Sequence, residues 1–156
     1  MWLLLAHYFI PEGEKYRPKK VMTYYFSPLC HNCFELKEQT KCDDDTLIIF
    51  QPVLMDDHDL SLQIFILSLI KKFHFSDFWH YAKKFQTVER EHLTSEETAL
   101  KMGFNNAEIQ WIKAHKNYQK AIEKELRHPV HGEMQKDKVI YKIMADTDIA
   151  YVPMLK

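Results

Sequence analysis

A chain of 156 residues with 46% hydrophobic and 13% aromatic content is long enough to bury one sizeable core, and its composition is neither low-complexity nor disordered. Its 21 basic and 22 acidic residues leave a net charge of -1, which gives no general attraction for nucleic acid or for an acidic membrane surface. Only 3 glycines against 10 phenylalanines and 8 tyrosines argue for substantial helix and against an all-β fold.

The apolar start Met1-Trp2-Leu3-Leu4-Leu5-Ala6 is shorter than a signal-peptide core and lacks preceding positive residues. It reads either as the remnant of a signal or, preferably, as part of a first edge strand over residues 1–10, followed by a turn at Pro11-Glu12-Gly13-Glu14-Lys15. Val21 to Phe26, rich in β-branched and aromatic residues, predicts a buried strand; Ser27-Pro28 breaks it, and Phe34-Glu35-Leu36-Lys37-Glu38 continues as helix. A polar break over Lys41 to Asp45 precedes a second strand, Thr46 to Leu54, ended near Pro52. Strand, helix and strand in this order predict a parallel βαβ unit.

From Asp59 the apolar period changes to that of a helix. Leu60, Ile64, Leu67, Ile70 and Phe73 mark one face, with Asp57 or Asp59 as cap, and further apolar positions predict near-complete burial. The run Ile64 to Ile70 is too short to span a bilayer and is broken by Ser68. A second helix is expected over Phe78 to Phe85, a third from Ser95, and a fourth from Asn106 in which Trp111, Ala114, Tyr118, Ile122 and Leu126 share a face until Arg127 to Gly132 ends it. Val139, Ile140, Ile143 and Met144 predict a further helix. The pairs Lys19-Lys20, Lys71-Lys72 and Lys83-Lys84 read as solvated faces, and the chain holds no internal repeat and no glycine-rich phosphate loop.

The chemistry concentrates in Cys30-His31-Asn32-Cys33. At a helix start, unpaired N–H groups and the positive end of the dipole stabilise a thiolate at Cys30, and the spacing lets Cys33 close a disulfide with it. The other reading of a Cys-x-x-Cys is half of a zinc site, but only Cys42 remains among the cysteines and the histidines are scattered singly. The strand-to-helix context favours redox. Cys42 by itself reads as a small surface or core residue, and His128 with His131, flanked by Pro129 and Gly132, as a solvated loop.

Taken with the element order, Phe26-Ser27-Pro28-Leu29-Cys30-His31-Asn32-Cys33-Phe34 and Tyr151-Val152-Pro153-Met154 resemble the DsbA family of thiol-disulfide oxidoreductases. The resemblance implies an α/β, thioredoxin-like fold with an inserted helical domain, residues 1–57 and 133–156 forming the thioredoxin-like part and 58–132 the insertion. It implies disulfide exchange with cysteine-containing protein substrates, with Cys30 as the attacking or attacked sulfur, Cys33 resolving, and His31 supporting the thiolate. Val152 and a cis Pro153 would contact substrate backbone. No cofactor or metal is implied, a redox partner protein is, and the location would be periplasmic or otherwise extracytoplasmic. The chain departs from the pattern in three ways. His31 follows the first cysteine instead of preceding the second, Tyr24 stands where such proteins often bury an acid, and Lys156 comes where they continue into their last strands and a closing helix. The last strands are therefore expected to be missing. The alternative function is a zinc-binding or inactive partner-binding module of the same fold.

Overall fold

The computed structural model describes residues 10–13, 20–29, 46–55, 57–127, 139–141 and 153–155. The chain divides into two compact units, residues 1–55 with 125–156, and residues 56–124.

The first unit is built on strands β1 (Ile10–Gly13), β2 (Lys20–Phe26) and β3 (Thr46–Pro52) in the order β1-β3-β2. β2 and β3 run parallel, in register from Lys20↔Thr46 to Phe26↔Pro52, so that their carboxyl ends finish side by side. This is the pairing expected of a βαβ unit. β1 is antiparallel to β3, with Pro11 opposite Ile49. The turn expected from Pro11 is thus strand instead: β1 is an outer strand of the described sheet, the kind of position in which proline is tolerated. Residues 1–9 of the expected first strand lie outside the described residues.

Strands β4 (Val139–Tyr141) and β5 (Pro153–Leu155) pair antiparallel, Tyr141 opposite Pro153. The helix expected at Val139 and Ile140 is therefore strand. The triplet Val-Ile-Tyr prefers the pleated conformation once a partner strand is available, and three residues are too few for apolar spacing to tell the two periods apart. β5 comes alongside β2 as well.

In the second unit, α1 (Leu60–Phe73) is the centre. Asp59 caps it, its carboxylate accepting from the Leu62 N–H at 3.1 Å, and every residue from Leu62 to Ile70 is buried. Ser68 is tolerated in that apolar run because its hydroxyl donates to the Ile64 carbonyl at 2.6 Å. α1 packs against α2 (Phe78–Val88), α3 (Ser95–Met102) and α4 (Asn106–Ala114). Thr94 and Asn105 open α3 and α4 with reciprocal capping boxes to Glu97 and Glu108.

The single fourth helix expected from Asn106 is broken at His115 into α4 and α5 (Lys116–Arg127). His115 leaves helical geometry (φ -112°, ψ 67°), and its ring stacks on Trp111 at 3.8 Å with Nδ1 2.7 Å from the Trp111 carbonyl. The Trp111 carbonyl keeps its helical partner, the His115 N–H at 3.1 Å, whereas the Ile112 carbonyl, which a continuing helix would give to the Lys116 N–H, accepts from the His115 N–H at 3.1 Å and from Gln119 Nε2 at 3.0 Å. The break also rotates the buried face: Ile109 and Ile112 are buried in α4, whereas Trp111 is half-buried and Ala114 exposed. Among the described residues no helix is long and apolar enough to cross a membrane.

Candidate functional site

The end of β2 is tied firmly to the end of β3. One rung beyond the strand pair, the Val53 N–H donates to the Phe26 carbonyl at 2.8 Å, and the Phe26 and Phe50 rings meet edge to face with centroids 6.5 Å apart. Phe26 is fully buried and Phe50 2% exposed. The chain then turns. Ser27, Pro28 and Leu29 are all buried, and the Leu29 N–H folds back to the Ser27 hydroxyl at 3.1 Å, a local bond that serine offers in place of further extended chain. The residue after this turn is Cys30.

Cys30, His31, Cys33 and Val152 lie outside the described residues, as do Cys42, His128 and His131. Pro153 is placed, as the first residue of β5, the strand that comes alongside β2. No cis peptide bond occurs among the described residues, and the Val152–Pro153 bond includes a residue outside them.

One polar residue at the strand ends went unnoticed in the sequence. Gln51 is fully buried; its Nε2 donates to the Pro52 carbonyl at 2.7 Å, while its Oε1 has no hydrogen-bond partner among the described residues. The signal was present as a lone amide inside the apolar run Leu47 to Val53.

The helical unit carries two histidine–carboxylate pairs. His58 Nδ1 stands 2.9 Å from Glu89 Oε2, beside a cavity of about 530 Å³ lined also by Asp57, Asp59, Arg90 and His92. Among the described residues no three metal-binding side chains converge. His74 Nε2 stands 2.9 Å from Glu108 Oε2, its ring 4.6 Å from Tyr81 and 5.4 Å from Phe104. Burial, then the charges of Glu108 and Asp77, push the Tyr81 hydroxyl above the ordinary tyrosine range. Both pairs join residues distant in sequence and read as packing contacts.

No protein-family model, curated protein or solved structure matches this chain.

Proposed function

We propose that the chain is a thiol-disulfide oxidoreductase of thioredoxin-like fold with a helical insertion, exchanging disulfides with cysteine-containing proteins through Cys30 and Cys33. The observation that supports this reading is the side-by-side end of parallel strands β2 and β3, followed by the buried Ser27-Pro28-Leu29 turn, which in sequence immediately precedes Cys30. Open parallel sheets gather their reactive groups at the carboxyl ends of strands. The helical pattern after Cys33 adds the dipole that favours a thiolate at Cys30. Pro153, on a strand alongside β2, is in the right unit to meet a substrate's main chain.

The exchange balances without a cofactor. In the oxidising direction a substrate thiolate attacks the Cys30 sulfur of a Cys30–Cys33 disulfide, and Cys33 leaves as thiolate and takes up a proton. A second substrate thiolate then attacks the substrate sulfur of the mixed disulfide, forming the substrate's disulfide and releasing Cys30 as thiolate. Two electrons have passed from substrate to protein, and a partner's disulfide must accept them to restore the Cys30–Cys33 bond. The reducing direction is the reverse, and His31 favours whichever state contains the Cys30 thiolate. The resemblance places this chemistry in an extracytoplasmic compartment, where disulfides persist.

The test is trapping with the full chain. Cys33→Ser should accumulate a mixed disulfide with a reduced, unfolded thiol protein under mild oxidation, and Cys30→Ser should not. Metal-dependent protection of all three cysteines, or no trapping by either variant in a folded protein, would replace this reading with the zinc-binding or inactive module.

A further inference from the structure

The cavity beside His58 is lined by charges of both signs that do not neutralise each other. Two segments meet there, one leading into α1 and one following α2. They are clamped where His58 Nδ1 meets Glu89 Oε2 at 2.9 Å, and the other imidazole nitrogen lies 3.7 Å from Asp57 Oδ1. The residues next to that clamp in sequence, Asp57 and Asp59 on one segment and Arg90 on the other, line the same cavity of about 530 Å³. The second segment is a tight turn, closed by the His92 N–H donating to the Glu89 carbonyl at 3.1 Å with His92 in the left-handed region (φ 55°).

Bonds within the protein occupy only some of these groups. Glu89 is held by His58, and Asp59 Oδ1 accepts from the Leu62 N–H at 3.1 Å as the cap of α1. Arg90 makes no hydrogen bond or ion pair among the described residues, and the Asp57 carboxylate has only its long contact to His58 there. A guanidinium and a carboxylate that share a cavity without meeting leave a gap whose electrostatic complement is a molecule with one anionic and one cationic end. Buried Leu62 and half-buried Leu93 add apolar surface to the lining, and the volume falls within the roughly 300–1,000 Å³ of small-molecule sites. From this arrangement we propose that the cavity binds a small zwitterion with an apolar body, an α-amino acid or dipeptide with free termini. Arg90 pairs with the ligand carboxylate, for which its planar fork offers two parallel N–H donors, and Asp57 accepts from the ligand ammonium. The His58–Glu89 clamp and the Asp59 cap hold the two segments in place. The inference is independent of the chemistry proposed for Cys30.

The experiment is isothermal titration calorimetry of the full chain with leucine and leucyl-leucine, set against isocaproate, which lacks the ammonium, and leucinamide, which lacks the carboxylate. The tighter of the two zwitterions identifies the ligand length, and its Kd should be about 1 mM or below. Isocaproate and leucinamide should each bind about tenfold or more weakly than that zwitterion, since each leaves one charged partner unused. Arg90→Gln should weaken the zwitterion by about the same factor and erase the difference between leucine and leucinamide; Asp57→Asn should erase the difference between leucine and isocaproate. Both side chains are exposed, so the variants should keep the parent Tm. Should either variant fail to fold, the comparison of the four probes on the parent protein still decides. No saturable binding of either zwitterion, blocked probes that bind as well as the zwitterions, or folded variants that bind like the parent would overturn the proposal.

Discussion

Gly103 offers a clean measurement of backbone conformation in the helical unit. It ends α3 at φ +101°, its N–H donating to the Leu100 carbonyl at 3.0 Å and the following Phe104 N–H to the Ala99 carbonyl at 3.1 Å. This is a Schellman closure, with buried Phe104 as its apolar anchor. A Cβ added at Gly103 would meet only Lys84 Nζ, at 3.7 Å, an ordinary contact. Packing therefore contributes nothing to the cost of Gly103→Ala, and two backbone terms oppose each other. Holding a side-chain-bearing residue in the left-handed region costs about 1–2 kcal/mol. Restricting the unfolded chain recovers about 0.4–1 kcal/mol. The net is a destabilisation of about 1 kcal/mol, which for a chain of this size lowers Tm by roughly 2–4 °C. Gly103→Asn, whose side chain tolerates the left-handed region, should lose less. Thermal melts followed by far-UV circular dichroism measure both. An alanine variant as stable as the parent, or an asparagine variant that costs more than alanine, would refute the conformational argument.

Other expectations concern the same unit. Ile66→Ala, at a fully buried position of α1, should cost about 2–5 kcal/mol in denaturant melts, whereas Leu100→Ala, 54% exposed, should change stability by no more than about 0.5 kcal/mol. Thr94→Ala removes the α3 cap and should cost about 1 kcal/mol by the same assay. The Glu97 carboxyl, held below its ordinary range first by the Thr94 backbone N–H and then by the Thr94 hydroxyl, supports folding above that range. That support should fade as pH falls through its lowered pKa and be absent in Glu97→Gln. Tyr81 carries the opposite sign. Its folded pKa lies above the ordinary 10.0, so the folded protein keeps the proton longer than the unfolded chain and stability should decline as pH rises past that value. Difference absorbance against Tyr81→Phe should show this phenol ionising later than a free tyrosine.

Where the residues signal their own local structure, the fold was readable from the sequence. Asp59, Thr94 and Asn105 are capping side chains, and the helices begin directly after them. The β-branched and aromatic runs ending at Phe26 and Pro52 became a parallel pair in register. What misled was decided by neighbours distant in sequence or by a side chain competing for the backbone. Pro11 is strand because the sheet puts it at an edge, and Val139 is strand because Leu155 lies opposite. At His115 the otherwise helical pattern is interrupted where the Ile112 carbonyl is taken by the His115 N–H and the Gln119 side-chain amide, a competition that apolar spacing does not reveal. At the site, the strand ends and the break at Ser27-Pro28 were legible. The Gln51 amide was not, since an isolated polar residue in an apolar run carries no sign of whether it faces solvent or the interior.

The central claim is that Cys30 is the reactive half of an exchanging dithiol, and the most direct measurement is competitive alkylation of the reduced, metal-free full chain across pH with each cysteine quantified by mass spectrometry. The account predicts that Cys30 reacts fastest and keeps reacting well below the unperturbed thiol pKa of about 8.5, while Cys33 stays protected until the protein unfolds. Equally slow modification of Cys30 and Cys33 in the folded protein, with an ordinary thiol pH profile at both, would contradict it.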